Sequence, residues 1–304
     1  MADEQLLAHA LEQLSAPGDL DQELVGSLSH LVRTDLEAVA KAWRELPIDR
    51  RLDLLTQFGR AERQSSRFDF NALYSMALSD EEGRVRRLAV DSMVPQNGPA
   101  LLERLTEMAD SDPDPYAREA AVARLGPFAL MAEIGELPEP WKDRLRNQLL
   151  AIYRDNDAPY GVRREALASV GYLDNLKVES AIDDGFEDDD FQLWAMRAMG
   201  RTANADWLDT LMGEAEHPDP AVRQEVARAL GELADERAAP TVGELVDDTE
   251  LEVRLAAIRA LGLIGGDDAR EALLYALEDD RDIIREAAEN AINEVEEGED
   301  PLAV

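Results

Sequence analysis

Four regularly spaced arginines are the residues of this sequence best suited to chemistry. Arg197, Arg228 and Arg259 follow one another at intervals of 31 residues, and Arg164 precedes them by 33. A guanidinium group presents N–H donors in a planar fork that fits a carboxylate or a phosphate with two parallel hydrogen bonds. This series could therefore recognise acidic groups. Trp194 could add an aromatic contact, since tryptophan is enriched where binding energy concentrates, or it could instead fill the core between repeats.

These arginines belong to a longer repeat. Small or apolar residues follow four and eight places after a recurring apolar anchor, which is one face of a helix. The anchors are Val85, Ala117, Val162, Phe191, Val222, Val253 and Ile284. A period near 31 residues that is made of helix pairs indicates a solenoid, in which each repeat contacts its neighbours.

The repeat also predicts which side chains are exposed. The buried direction of each second helix is centred near its anchor, so positions two and six places later point away from it at about 100° per residue. Arg164 is two places after its anchor, and Arg197, Arg228 and Arg259 are six places after theirs. We expect all four to be exposed. Arg228 could instead pair locally with Glu225 or Glu232, which lie three and four residues away on the same helix.

The repeat carries a family resemblance. An aspartate, Val-Arg five places later, and then alanine and Leu-Gly resemble HEAT repeats, and the period is similar to that of the short HEAT-like repeats of phycobilisome lyases. The aspartate is present at Asp80, Asp112, Asp157, Asp248 and Asp279, whereas Phe186 and His217 replace it in two repeats. The resemblance implies an all-α, right-handed α-α superhelix of the HEAT/armadillo type. It also implies a ladder between the aspartates and arginines of neighbouring repeats, and second helices that line a concave surface.

The chain is predicted to have three parts. Residues 1–70 are expected to be an irregular helical N-terminal cap, in which Thr34 and Glu37 form a capping box. Residues 71–296 are expected to hold the repeats, with an insertion near 126–140 that extends or kinks a second helix. Residues 297–304 are expected to be an acidic, frayed tail. Asp114-Pro115 and Asp219-Pro220 are predicted helix starts.

Glycine stands nine places after five of the anchors. These glycines are Gly126, Gly171, Gly200, Gly231 and Gly262. Glycine at this position either ends the second helix or lets the next helix pack close.

Charge limits the partners of this protein. Acidic residues outnumber lysine and arginine by 66 to 31, and the formal charge is −35. Nucleic-acid binding is not expected, because its affinity comes largely from a basic surface. The charge favours solubility, and attraction of a cationic partner is the alternative. We expect a monomeric, cytoplasmic protein that does not bind membranes, since no apolar run approaches the roughly 20 residues of a spanning helix.

Catalytic motifs are missing from the sequence. There is no cysteine, which excludes thiolate catalysis and cysteine-ligated zinc. Deoxyhypusine hydroxylases, which resemble this architecture, hold iron with His-Glu dyads, but His9, His30 and His217 are followed by Ala10, Leu31 and Pro218. The sequence therefore predicts a non-enzymatic scaffold, without cofactor or metal, that binds another protein or an acidic peptide. The alternative is a bilin- or tetrapyrrole-handling lyase or chaperone of the HEAT-like type.

Overall fold

The computed structural model describes residues 2–93 and 98–299, with side chains for 5–93 and 98–295. In these ranges the chain forms eighteen α-helices and three short 3-10 turns, and no strand. The predicted all-α, HEAT/armadillo-type fold class is therefore confirmed. The chain divides into two compact units, residues 1–125 and 126–304, and the division falls inside the eighth helix.

The first unit consists of short helices joined by turns. They are α1 (Ala2–Gln13), α2 (Gln22–Ser27), α3 (Arg33–Arg44), α4 (Ile48–Gln64), α5 (Asn71–Ala77), α6 (Gly83–Ser92), α7 (Pro99–Ser111) and the start of α8 (Pro115–Glu133). From α3 onward they form pairs, and the second helix of each pair is α4, α6 or α8.

The second unit continues the alternation. Its helices after α8 are α9 (Pro140–Arg154), α10 (Tyr160–Val170), α11 (Leu176–Phe186), α12 (Gln192–Arg201), α13 (Leu208–Gly213), α14 (Pro220–Leu233), α15 (Ala239–Glu244), α16 (Leu251–Ile264), α17 (Gly266–Ala276) and α18 (Asp282–Glu299). The second helices here are α10, α12, α14, α16 and α18, and each packs against the next.

The anchors form the core of the stack. All seven predicted anchors are buried, including Val222 and Val253. Burying an aliphatic side chain of this size contributes about 1.5–3 kcal/mol relative to its exposed state. The predicted helix start at Asp219 is also confirmed, because its side chain accepts a hydrogen bond from the N–H of Ala221 and Pro220 takes the first turn.

Glycine sets the distance between successive second helices. A methyl group added at Gly200 would lie 2.7 Å from the Cα of Ala229, on the next second helix. Gly171 approaches Ala198 in the same way, and Gly231 approaches Ala260. Close packing of the next helix is therefore observed at all three glycines, and Gly171 is also the C-cap residue at which α10 ends.

An ion-pair ladder links neighbouring repeats. Arg223 donates to both carboxylate oxygens of Asp248 at 2.6 and 2.8 Å, and also to the carbonyl oxygen of His217 at 2.8 Å. Arg86 makes the equivalent pair with Asp112 in the first unit, and Arg254 pairs with Asp279 in the second. The arginine of one repeat thus holds the turn of the following repeat, as the resemblance implied.

The N-terminal segment differs from expectation in two ways. Helix α3 begins at Arg33 after the N-cap residue Val32, so the predicted capping box at Thr34 is wrong. In addition, Arg51 of α4 donates to Asp80 at 2.6 Å and so repeats the ladder geometry inside the predicted cap. The sequence pattern missed this pair because Arg50, rather than an apolar residue, takes the place of the anchor. The domain boundary at residue 70 stays a prediction.

The structure describes the whole predicted insertion and the first part of the predicted tail. Helix α8 continues to Glu133 with Pro127 inside it, and residues 134–139 connect it to α9, as the predicted extension requires. Helix α18 reaches Glu299, so the backbone is helical over the first part of the predicted tail. Residues 300–304 lie outside the described part of the chain.

Candidate binding surface

The predicted site lies on four consecutive second helices of the second unit. We call the solvent-facing residues of α10, α12, α14 and α16 the second-helix surface. These helices hold eight arginines and four glutamates, in a chain whose formal charge is −35. The next helix in the stack, α18, holds one arginine and seven carboxylates. The local excess of arginine therefore ends at α16.

Arg164 is held between two aromatic rings. Its guanidinium carbon lies 4.6 Å from the ring centre of Tyr160 and 4.3 Å from that of Trp194. Its Nε donates to the carbonyl oxygen of Asp190 at 2.9 Å. Each cation–π contact contributes about 0.5–1 kcal/mol at an exposed site. These contacts fix the guanidinium in place. No carboxylate among the described side chains pairs with it, so its positive charge is uncompensated.

The aromatic partners of Arg164 are themselves anchored. The Tyr160 side chain hydrogen-bonds Asp190, which raises the pKa of the phenol above its usual value. The indole N–H of Trp194 donates to Glu165 at 3.4 Å, and Trp194 is half-buried. The sequence placed Trp194 on this surface as a possible contact but did not identify Tyr160, which lies four residues before Arg164 on the same helical face.

Arg197 is already paired inside the protein, which corrects the expectation of an available guanidinium. It donates to both carboxylate oxygens of Glu225 at 2.9 and 2.8 Å, and its Nη1 lies 3.8 Å from Glu165. Only 25% of its side chain is exposed. The bond to Glu225 raises the pKa of Arg197 above its usual range. The reason is packing between helices, because both glutamates project from the flanking second helices rather than from α12.

Arg228 is exposed and weakly paired. About half of its side chain (49%) is accessible, and its Nη1 lies 3.8 Å from Glu225, beyond hydrogen-bond distance. We call Glu165, Arg197, Glu225 and Arg228 the compensated cluster, since it contains two charges of each sign. On the same surface Arg201 lies 3.5 Å from Glu232, whose pKa is raised by burial.

Arg259 is the remaining predicted contact. It is exposed, and no ion pair of the described side chains includes it. Its surroundings are apolar, because Leu255 and Ala256 are buried and Leu263, one turn further on, is 59% exposed.

Three arginines of these four second helices, Arg163, Arg164 and Arg259, have no carboxylate partner among the described side chains. Arg163 donates to the carbonyl oxygen of Tyr153 and packs on Phe191. The candidate contacts are therefore Arg164 on α10 and Arg259 on α16, with the compensated cluster between them.

The described residues contain neither a cluster of metal-ligating side chains nor a helix that could span a membrane. No group of three or more histidine and carboxylate side chains there could hold a metal ion. The Nδ1 of His217 accepts a hydrogen bond from the N–H of Asp219 and so serves the turn before α14. Within the same ranges, every helix is too short or too polar to span a bilayer.

One family model matches the C-terminal part of the chain. The family model described as HEAT repeats matches residues 180–250 and, in an overlapping second match, residues 209–293. This confirms the predicted resemblance for that part of the chain. No curated protein matches the sequence.

Several solved structures resemble the chain at low identity. Human deoxyhypusine hydroxylase in complex with glycerol is 16% identical, covers 97% of this chain and 98% of its own, and has a TM-score of 0.38. Kap121p bound to Nup53p is 14% identical, covers 97% of this chain and 46% of its own, and has a TM-score of 0.36. A designed armadillo repeat protein is 18% identical, covers 64% of this chain and 99% of its own, and has a TM-score of 0.35. At such scores the likeness carries no inference about function.

Proposed function

We propose that this chain, in which residues 180–293 are HEAT repeats, is a non-enzymatic scaffold that holds an acidic segment of another protein on its second-helix surface. The observation that carries the proposal is the pair of uncompensated arginines, Arg164 and Arg259, on the same surface of a very acidic molecule. The chain contains about twice as many acidic residues as basic ones, so a carboxylate partner within the protein would be readily available to both arginines. Their lack of a carboxylate partner supports a role toward a ligand.

The state of Arg164 supports recognition of a carboxylate. A guanidinium that is already stacked between Tyr160 and Trp194 loses little side-chain freedom when a ligand binds, so more of the interaction energy appears as affinity. Charge-assisted hydrogen bonds from such a group are roughly twice as strong as neutral ones. Arg197 does not take part in this recognition, because its guanidinium already donates two hydrogen bonds to Glu225.

The net charge of the molecule opposes an acidic ligand at long range, and this makes the proposal testable by salt. Electrostatic potentials extend over a Debye length of about 10 Å at 0.1 M ionic strength but only about 3 Å at 1 M. Added salt therefore screens the repulsion from −35 charges more than it weakens contacts made within 4 Å. We expect binding of an acidic peptide to be maintained or strengthened between 0.1 and 1 M salt.

The experiment uses two immobilised pools of synthetic 20-residue peptides that differ only in glutamate or lysine at the charged positions. The unaltered protein should bind the glutamate pool, and Arg164→Gln and Arg259→Gln should each weaken binding roughly tenfold, equivalent to about 1.4 kcal/mol. Arg237→Gln is the matched control, since it removes the same charge from a first-helix turn where Arg237 pairs with Asp235 at 2.6 Å. Preferential binding of the lysine pool, or equal binding by all three variants, would reject the proposal.

A further inference from the structure

We infer that the ligand is bipartite, with two acidic positions separated by about seven to nine residues of extended chain. One acidic position is held by Arg164 and the other by Arg259. This inference rests on the proposed function and specifies which segment the second-helix surface selects.

The separation follows from the packing of the second helices. Arg164 and Arg259 lie on α10 and α16, and α12 and α14 stand between them in a continuous stack. Packed helices have axes about 8–10 Å apart, so three steps cover about 24–30 Å. The glycine contacts at Gly171, Gly200 and Gly231 favour the short end of that range. An extended chain advances about 3.3 Å per residue, and about seven to nine residues therefore join the two arginines.

The surface between the two arginines disfavours further acidic residues. The compensated cluster occupies this stretch, and its arginines already face Glu165 and Glu225. Glu232 adds a third carboxylate, which lies 3.5 Å from Arg201. A ligand carboxylate placed here would meet arginines whose charge is already balanced by glutamates, so it gains less than at Arg164 or Arg259. The middle of the ligand is therefore uncharged.

Side chains near each arginine suggest the flanking residues of the ligand. Trp194 lies half-buried beside Arg164, and Leu263 lies exposed one helical turn from Arg259. Apolar ligand residues next to each acidic position could cover these two side chains. Joining two such contacts by a linker of matching length raises the affinity well above that of either contact alone, and the gain disappears when the linker cannot span the sites.

The experiment compares peptides of constant charge and varied spacing. Three peptides carry two glutamates at each end, four in total, of a neutral Ser/Gln/Leu segment of 3, 7 or 12 residues. A fourth peptide is as long as the peptide with the 7-residue segment but has all four glutamates at its centre. We expect the peptide with seven intervening residues to bind the full-length protein roughly tenfold more tightly than the other three. With this peptide, Arg164→Gln and Arg259→Gln should each remove most of that advantage, and Arg237→Gln should leave it intact.

The outcomes separate this inference from the proposed function. Equal affinity for the four peptides, combined with loss of binding in Arg164→Gln and Arg259→Gln, would overturn the bipartite ligand and leave the binding surface in place. Preference for the peptide with central glutamates would also overturn it, because the compensated cluster would then accept acidic residues. Equal affinity that no arginine variant changes would reject the proposed function itself.

Discussion

We call the contact between two neighbouring second helices a joint. The α14–α16 and α10–α12 joints both pack two helices closely together, but the side chains that link the helices differ. Both bring a glycine against the backbone of the next helix, Gly231 against Ala260 and Gly171 against Ala198. The α14–α16 joint adds the ion pair of Arg223 and Asp248. In the α10–α12 joint Phe186 takes the place of the aspartate. The arginine at the ladder position, Arg163, packs on an aromatic ring instead.

Arg163 illustrates the substitution. It occupies the ladder position on α10, yet its guanidinium carbon lies 4.8 Å from the ring centre of Phe191 and its Nε donates to the carbonyl oxygen of Tyr153 at 2.9 Å. Tyr160 packs on Phe191 in a tilted arrangement, with ring centres 5.1 Å apart. The rings that replace the ladder also hold the neighbouring Arg164 at the surface. A joint that departs from the repeat rule thus carries Arg164, which agrees with the general expectation for functional sites. Arg259 lies on α16, at the joint that keeps the ladder.

The largest expected effect tests what the two joints share. Val253→Asp and Val162→Asp each place a carboxylate in an apolar seam without a partner, and each should lower the free energy of unfolding by about 4 kcal/mol. Urea denaturation measures both. Leu176→Asp, at a position 81% exposed, is the control and should leave stability unchanged. A small effect at Val253 would mean that the anchor register is wrong.

The next effect separates the two joints. Arg223→Met leaves Asp248, whose side chain is 7% exposed, without its partner and should cost about 3 kcal/mol. Arg163→Met strands no carboxylate and should cost about 1 kcal/mol or less, because methionine still packs on Phe191. Thermal unfolding of the two variants makes the comparison. Equal losses would show that the ladder adds nothing beyond packing.

Glycine variants should affect both joints alike. Gly231→Ala and Gly171→Ala each force a methyl group to within 3 Å of the next helix and should cost about 2 kcal/mol through overpacking. Gly213→Ala is the matched control, because nothing lies within 4 Å of the added methyl group there. Helix propensity alone favours alanine over glycine by about 1 kcal/mol, so a cost in the control similar to that at Gly231 would contradict the assignment to close approach.

Acid should weaken the α14–α16 joint through its ladder. The hydrogen bonds from Arg223 lower the pKa of Asp248, so the stabilisation is complete above the usual aspartate pKa of about 3.9 and is lost as the pH falls through the lowered value. The gap in stability between the unaltered protein and Asp248→Asn should therefore be large at pH 7 and small at pH 2. Hydrogen exchange of α14 and α16 amides would localise the loss. A gap that does not change with pH would contradict this assignment.

Much of the architecture could be predicted from the sequence. The sequence leaves open which of two roles the glycine nine places after the anchor takes, whereas the anchor register and the buried Phe191 follow from periodicity within one helix. The reason is that residues three and four places apart share a helical face whatever surrounds the helix. The ladder was also foreseen, because resemblance to a known repeat supplied the contact between helices that periodicity alone does not.

The tertiary structure decided how the candidate site is built. Arg197 pairs with Glu225, 28 residues away on the next helix, and this removed it from a series that looked uniform in sequence. Arg164 is fixed in place because Trp194 of the neighbouring second helix completes its stack with Tyr160. Such pairings depend on how far each helix is rotated and shifted against the next. The sequence determined which residues form the buried face of each helix, and the packing of neighbouring helices determined how far the remaining arginines are exposed and which of them stay uncompensated.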